Sequence, residues 1–420
     1  MNQRARNAAL SKVLYILRDQ PGLAVFDIGP DWTVITWGPG PFNFLSPSWP
    51  EGIRDGLRPR SPDTELPFCS GLVGWIGYEA GAMMERMPPP RAPAITPDLC
   101  FWRVEGALCW SRSQQQWRLT GDDAFQAVAE DAIHAAKNLP EPARPRPWRP
   151  DPNAEQQKAY QDGVREILDE IRQGKVYQTN LAWEQTRIPI NNPLGTWLAL
   201  RRANPAWRGA FLQRGDVQIL SNSPEMYLEV RPTANGLRAV SAPIKGTARA
   251  SDGDDARWEL WESEKERAEL TMIVDLVRND LGRVARTGSV RAAPRRLRRC
   301  GDLLHAEQPV QAILADNLDA FDAVSASFPP GSVTGAPKVS AMNLIHRLEP
   351  GPRGIYTGAI GFFGDDGAAH FNVAIRTAIV KDGLARFHVG AGIVADSDPE
   401  REWYETIAKG AALAGWLQAR

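Results

Sequence analysis

Two pairs of glutamates stand at the same spacing in separate stretches of this chain, Glu266 with Glu269 and Glu402 with Glu405. Side chains three residues apart on a helix share a face, so each pair can turn two carboxylates toward one point. Four carboxylates from two helices suit a hard cation such as Mg²⁺, which takes oxygen ligands and keeps several waters. Solvated helix faces carry glutamates at this spacing too. Lys245 lies in Pro243-Ile244-Lys245-Gly246-Thr247, between an apolar approach and a glycine. A desolvated lysine can become a nucleophile; the plain alternative is an exposed turn lysine. Gly390-Ala391-Gly392 follows a strand-like run and offers backbone N–H groups to a carboxylate. Arg376 ends the apolar run Val373 to Ile375. If its strand is internal the guanidinium needs an anionic partner, a ligand carboxylate or an internal acid.

The elements that must position these groups can be read from periodicity. Tyr160, Val164, Ile167, Leu168 and Ile171 fall on one helical face, and Gly174 supplies a stop. Leu270, Ile273, Val274, Val277 and Leu281 form the stripe of a second helix, from about Asp254 to Leu281, which carries the first glutamate pair. The second pair rides on a closing helix, Glu400 to Leu417. Strand-like runs are Gln218 to Asn222, Met226 to Arg231, Tyr356 to Phe363, Val373 to Val380 and Ala385 to Val389. Upstream, residues Ala8 to Leu17 form a short amphipathic helix. Val34 to Trp37 reads as a strand closed by Gly38-Pro39-Gly40; Val104 to Trp110 and Trp117 to Thr120 read as a strand pair. Gly71 to Glu79 is apolar, with glycines where another backbone comes close. Strands and helices mix without strict βαβ alternation, so an α+β architecture is expected. Prolines 140, 142, 145, 147, 150 and 152 make residues 139–154 an extended connector. It separates an N-terminal region, 1–138, from a C-terminal region, 155–420, the two packing into one body.

Composition bounds the class. With 420 residues, 43% hydrophobic and 24% charged, the chain can bury a large core without disulfides or structural metals. A net charge of −1 argues against nucleic-acid binding, which shows as a basic excess. The run Arg295, Arg296, Arg298, Arg299 is the local exception. It reads as a solvated face, with partner docking or an anionic substrate as the alternative. Cys69, Cys100, Cys109 and Cys300 lack metal-site spacing and read as buried or incidental thiols in a reducing compartment. With no signal-like segment and no run of about 20 apolar residues, a cytoplasmic protein off the membrane is expected.

These groups fall in an ordered set of motifs: Tyr177-Gln178-Thr179-Asn180-Leu181, Ser221-Asn222-Ser223-Pro224-Glu225, Pro243 to Thr247, Glu266 to Leu281, Gly331-Ser332-Val333-Thr334-Gly335-Ala336-Pro337-Lys338, Ala374-Ile375-Arg376-Thr377, and Gly390 to Thr406. In that order they resemble the chorismate-utilising enzymes, which comprise anthranilate, aminodeoxychorismate, isochorismate and salicylate synthases. The resemblance spans residues 155–415 and extends more loosely to Gly71–Glu79. It implies two stacked antiparallel sheets forming a sandwich with helices outside. It implies Mg²⁺ at Glu266, Glu269, Glu402 and Glu405, some acting through water, bridging to the ring carboxylate of chorismate. Arg376, Tyr356, Thr334, Lys409 and the Gly390 and Gly392 backbone match positions that hold the substrate's two carboxylates; Gln178, Gly246 and Thr247 belong to the same wall. A dianion needs cation, guanidinium and oriented N–H groups to replace its hydration. Glu225 matches the general acid that protonates the departing ring hydroxyl. His305 aligns with a histidine beside the substrate in a His-Leu-x-Ser pattern. Here the pattern reads His305-Ala306-Glu307-Gln308, so glutamine replaces serine.

Two positions separate the members. Water-adding enzymes carry a lysine base where this chain has Gln178, and glutamine cannot take a proton from water. At the Pro-Ile-x-Gly-Thr position anthranilate synthases usually carry alanine and aminodeoxychorismate synthases lysine; here it is Lys245. The resemblance thus implies covalent amination of chorismate, catalysed by Lys245, Glu225 and His305, giving 4-amino-4-deoxychorismate for 4-aminobenzoate and folate synthesis. An anthranilate synthase component and a non-catalytic chorismate-binding subunit are the alternatives. None of the four cysteines sits in a nucleophile elbow, so ammonia is expected from a glutaminase subunit in a heterodimer.

Overall fold

A computed structural model describes residues 3–38, 49–61, 65–85, 92–137, 139 and 153–414. The proline-rich connector, the Pro39-Gly40 end of the first strand's turn and the end of the closing helix, from 415 on, lie outside the described residues. Among the described residues every strand pairing is antiparallel, in sheets of ten, eight and three strands.

The ten-stranded sheet runs edge to edge through Gly335–Ala336, Gln178–Pro189, Leu384–Ile393, Thr377–Lys381, Val217–Ser223, Arg208–Arg214, Ala24–Ile28, Trp32–Thr36, Ala107–Ser111 and Gln116–Thr120. The eight-stranded sheet runs through Arg291–Ala292, Val310–Ile313, Gly236–Ala242, Met226–Thr233, Ala369–Val373, Ala359–Gly364, Gly71–Ile76 and Leu99–Val104. Strands from the first 138 residues therefore complete both sheets. The two face each other across an apolar layer that includes Phe26, Ala210, Ile219, Trp75, Trp102 and Phe362. Phe26 meets Phe362 edge-on at 5.6 Å between ring centres.

Helices close the outer faces. Leu10, Ala129, Val164, Ile167, Trp197 and Trp403 cover the ten-stranded sheet, and Leu270, Ile273, Phe321 and Val324 cover the other. Each such burial contributes about 1.5–3 kcal/mol per large side chain. The architecture is the expected sandwich with helices outside. Glycines let the strands come close: a Cβ at Gly74 or Gly361 would run into a carbonyl of the neighbouring strand. Among the described residues no helix is long and apolar enough to cross a membrane.

Three local expectations need correction, and the first two corrections bear on the site. The helix expected from Asp254 to Leu281 is two helices, Gly253–Glu262 and Glu264–Gly282. Ser263 interrupts it, with ψ of 110° and a hydroxyl that accepts the Glu266 N–H. A serine at an N-cap satisfies an orphan donor, so the polar residue starts a new helix rather than continuing the old one. Glu266 and Glu269 thereby sit in its first turns. The run Val373 to Val380 is two strands in different sheets: Ala369–Val373 pairs with Met226–Thr233, and Thr377–Lys381 pairs with Val217–Ser223. Arg376 lies in the crossover, not in an internal strand. Likewise Val104 belongs to the eight-stranded sheet and Ala107–Ser111 to the other, so only Ala107–Ser111 pairs with Gln116–Thr120.

The third sheet has no counterpart in the expected sandwich. It joins Ile244–Arg249, Leu303–Glu307 and Arg296–Cys300. The arginine run expected as a solvated face builds its outer strand. Arg296 and Arg298 clamp Glu307, which is 1% exposed, at 2.8 and 3.1 Å. Arg295 donates to the main-chain carbonyls of Leu260 and Trp261 and stacks on the Trp261 ring. A buried carboxylate without those guanidiniums would carry an unpaired charge, which explains why arginines stand there.

Candidate active site

Lys245 is placed by a defect in the third sheet. Its strand pairs with Leu303–Glu307 in register Lys245↔Ala306 and Thr247↔His305, and the register slips between Lys245 and Thr247. The odd residue is Gly246, at φ +77°. A bulge re-aims the side chains beside it, and glycine tolerates the left-handed backbone. Gly246 also has no room: a Cβ would stand 2.6 Å from Leu260 Cδ1 and 3.0 Å from Glu266 Oε2. The re-aimed Lys245 is 15% exposed, with its ammonium 3.8 Å from Glu269 Oε2.

The acids gather around that amine. Burial and then neighbouring Glu269 push the Glu266 carboxyl above its usual range, while Lys245 opposes the shift. Glu405 also acts on Glu266, so the two glutamate-bearing helices share one field. Burial raises Glu402 as well, against a 2.6 Å hydrogen bond from Ser397. Glu405 goes the other way: burial opposes its charge, but Lys409, Lys265 and Lys245 hold it below the normal range. Among the described residues no three acids, histidines or cysteines close into a ready-made metal cluster. Carboxylates on two helices within one another's field nonetheless have the chemistry that would suit a hard cation that keeps its waters.

Gln178 and Gly392 form the opposite corner. Gln178 is 1% exposed, and its Oε1 has no hydrogen-bond partner. A Cβ on Gly392 would run into Gln178 Nε2 and stand 3.5 Å from Lys245 Nζ. Two residues up the same strand, Gly390 leaves room for Tyr356, whose hydroxyl would be 2.9 Å from a Cβ there. Tyr356 lies before the strand Ala359–Gly364 rather than in it, and stacks on His388 at 5.2 Å. Lys409 reaches the Gly390 carbonyl at 3.1 Å and Glu405 at 2.7 Å. Thr334 sits deeper: its hydroxyl donates to Pro330 O, and its carbonyl accepts the Asn180 N–H.

Arg376 and His305 make the positive side. Arg376 has φ +49°, uncommon for a side chain of this size, at the point where the chain passes between sheets. Its carbonyl is held by the Asn222 N–H at 3.0 Å, but its guanidinium makes no hydrogen bond or ion pair with any described residue. Burial lowers its pKa. A strained, half-buried guanidinium with no partner among the described residues could receive an anion from outside. His305 Nδ1 is 3.0 Å from Thr247 Oγ1, and Nε2 is buried without a partner. Burial, reinforced by Arg376, drives its pKa to about 4, so the ring is neutral near pH 7. Gln308, which departs from the family pattern, donates its amide to Ala293 O.

Glu225 is 4% exposed in the turn between Val217–Ser223 and Met226–Thr233. Burial raises its pKa to about 7, against hydrogen bonds from Ser332 and the Ile244 backbone and the charge of Lys245. It can therefore hold a proton where most glutamates cannot. Ser332 lies inside the Gly331–Lys338 motif, where nothing local marks its role, and Arg353 lies outside every motif. Its guanidinium, 1% exposed, bonds both oxygens of Glu349, Val333 O, Thr357 Oγ1 and Asn180 O, and lies 4.7 Å over the Tyr78 ring. It ties together the chain segments carrying Tyr356, Thr334 and Gln178.

The chain is similar to known proteins over most of its length. A family model described as chorismate binding enzyme matches residues 25–415. An anthranilate synthase component 1 of Haloarcula marismortui is 35% identical over 84% of this chain and 74% of that protein. An aminodeoxychorismate synthase of Streptomyces griseus is 37% identical over 87% of this chain and 52% of that protein. The crystal structure of anthranilate synthase component I from Streptococcus pneumoniae superposes with a TM-score of 0.79 at 27% identity, covering 94% of this chain and 92% of that one. A family model over residues 25–415 and relatives at 35–37% identity over most of the chain show that it belongs to the chorismate-binding enzyme family.

Proposed function

We propose that this enzyme joins chorismate and ammonia to give 4-amino-4-deoxychorismate, with the ammonia delivered by a separate glutaminase subunit. Lys245 is the observation that carries the reading: a sheltered amine, re-aimed by a bulge, 3.8 Å from Glu269 and beside Gly392. The neutral amine attacks the ring carbon next to the carboxylate-bearing one, and the 4-hydroxyl leaves as water with the proton of Glu225. Ammonia then forms its bond at the 4-position as the carbon–lysine bond breaks. The new ammonium gives a proton to Glu225, which is an acid again, and Lys245 leaves as the neutral amine that entered, its own ammonium proton having passed to solvent before the attack. Arg376 and Lys409 receive the substrate's carboxylates together with the Gly390 and Gly392 backbone, replacing the water a dianion gives up. His305 stays neutral and orders the Thr247 hydroxyl beside it. Glu266, Glu269, Glu402 and Glu405 would hold Mg²⁺, which when bound supplies positive charge to the ring carboxylate.

Incubation with chorismate, ammonium and Mg²⁺, with and without an added aminodeoxychorismate lyase, tests the reading by product mass. Aminodeoxychorismate alone, and 4-aminobenzoate once lyase is added, are expected. Anthranilate formed without lyase would overturn it.

The corner at Gly392 gives a sharper check. Gly392→Ala is expected to raise the KM for chorismate about tenfold, because the methyl displaces Gln178 and crowds Lys245. The melting temperature should fall by only a few degrees, since the displaced atom ends a side chain. Steady-state kinetics beside a thermal melt separate the two effects.

A further inference from the structure

Glu225 borders a second space, distinct from the corner that holds Lys245. It is a cavity of about 20 Å³, enough for one water molecule and little more. Val277, Leu281 and Val373 give it apolar walls, while Glu225, Ser241, Asp280 and Ser332 contribute polar groups. An empty cavity of this size would be lined by apolar atoms only. Two of these polar groups also lack partners. Asp280, 4% exposed, accepts a 2.8 Å bond from Lys338 Nζ on Oδ2, but nothing from any described residue on Oδ1. The Ser241 hydroxyl makes no hydrogen bond with any described residue either. Lys338 is itself fixed by Ser327 O at 2.7 Å, so Asp280 is held in place.

We propose that this cavity is a built water site, and that Asp280 is a positioning residue which, through that water, sets which oxygen of Glu225 carries the acidic proton. The inference rests on the reading of Glu225 as the general acid. A carboxylate can only accept, so Asp280 Oδ1 takes one hydrogen of the water. The Ser241 hydroxyl donates to the water oxygen, and the second hydrogen goes to a Glu225 oxygen. That oxygen is then the carbonyl of the acid; with Ser332 and the Ile244 N–H also donating to this carboxyl, the proton sits on the other oxygen, free to be given to the departing hydroxyl. With an amide at position 280, an N–H would fill one lone pair of the water, and the acceptor that takes its first hydrogen would be gone. Nothing would then fix whether the water meets Glu225 with a hydrogen or a lone pair, and the acidic proton would no longer be held to one oxygen.

Two variants test this with different chemistry. Val277→Ile adds one methylene to the cavity wall and displaces the water without altering a polar group. Asp280→Asn keeps the water and removes the acceptor that orients it. Each is expected to lower kcat at least tenfold while the KM for chorismate stays within twofold. A high-resolution crystal structure should show one ordered water in the wild type and none in Val277→Ile. Unchanged kcat in Val277→Ile, a dry cavity in the wild type, or a KM that moves with kcat would each overturn the proposal. Glu225→Gln serves as the control. Full turnover in that variant would refute the acid itself. A dead Glu225→Gln beside active Val277→Ile and Asp280→Asn would refute only the water.

Discussion

Replacing Lys245 by alanine is expected to cut amination on the order of 10³-fold or more, about 4 kcal/mol in the barrier, with chorismate affinity changed less than about threefold. The size follows from the absence of a substitute. Of the other lysines at the site, Lys409 is committed to Glu405 and the Gly390 carbonyl, and Lys265 faces Glu266, Glu402 and Glu405. Alanine also removes the positive neighbour of Glu269, so a loss could be electrostatic rather than covalent. Lys245→Arg separates the two. Arginine keeps the charge beside Glu269 and is not a nucleophile at any ordinary pH, so it should be as inactive as alanine. Steady-state rates at saturating ammonium, read beside equilibrium binding of chorismate, decide the matter. Arginine turning over near the wild-type rate would end the covalent mechanism.

The parts of the site legible in the sequence are those whose spacing is local. Glu266 with Glu269, and Glu402 with Glu405, are pairs on single helices, so periodicity alone put each pair on one face. That both pairs and Lys245 share one field depends on two helices and a third sheet, which no local pattern records. Arg376 shows the limit from the other side. Its apolar approach reads as a strand, and Val373 to Val380 is strand on both sides of it. What the pattern cannot carry is the change of sheet, which turns the arginine to φ +49° and leaves its guanidinium free. Ser263 did leave a trace, a polar N-cap residue three positions before Glu266, inside what otherwise reads as one helix. Arg353 left none. Its partners lie at positions 180, 333, 349 and 357, joined only by the fold.

The arginine run carries a related lesson. Four arginines in five residues look like a solvated or docking face, because charge is cheapest in water. Glu307, one strand away, changes the account: a carboxylate buried to 1% needs compensating charge, and Arg296 and Arg298 provide it. Glu307 in turn adds negative potential at Glu225 and helps keep that acid protonated. A cluster that looks peripheral in the sequence thus supports the chemistry through one buried residue.

Glu225→Gln should separate activity from stability in opposite directions. Removing a general acid costs on the order of 10²–10⁴ in rate. In the wild type the proton-donating form of the free enzyme is lost as pH rises through about 7, so kcat/KM should fall tenfold per pH unit above that point. In the glutamine variant the residual rate should lack that limb. Stability runs the other way. Burial raises the carboxyl from the ordinary value of 4.5 to about 7, so the folded chain binds a proton that the unfolded chain has released. Its contribution is fully present below pH 4.5 and is lost progressively up to about pH 7, amounting to about 3 kcal/mol. Glutamine stays neutral and escapes that loss. The variant should therefore melt at a higher temperature than the wild type at pH 8, with the difference shrinking toward pH 5. Thermal melts at the two pH values, set beside the rate profile, give the check. A Glu225→Gln protein that is less stable than the wild type at pH 8, or that keeps the alkaline limb, would mean that this carboxyl is already ionised in the fold and donates no proton.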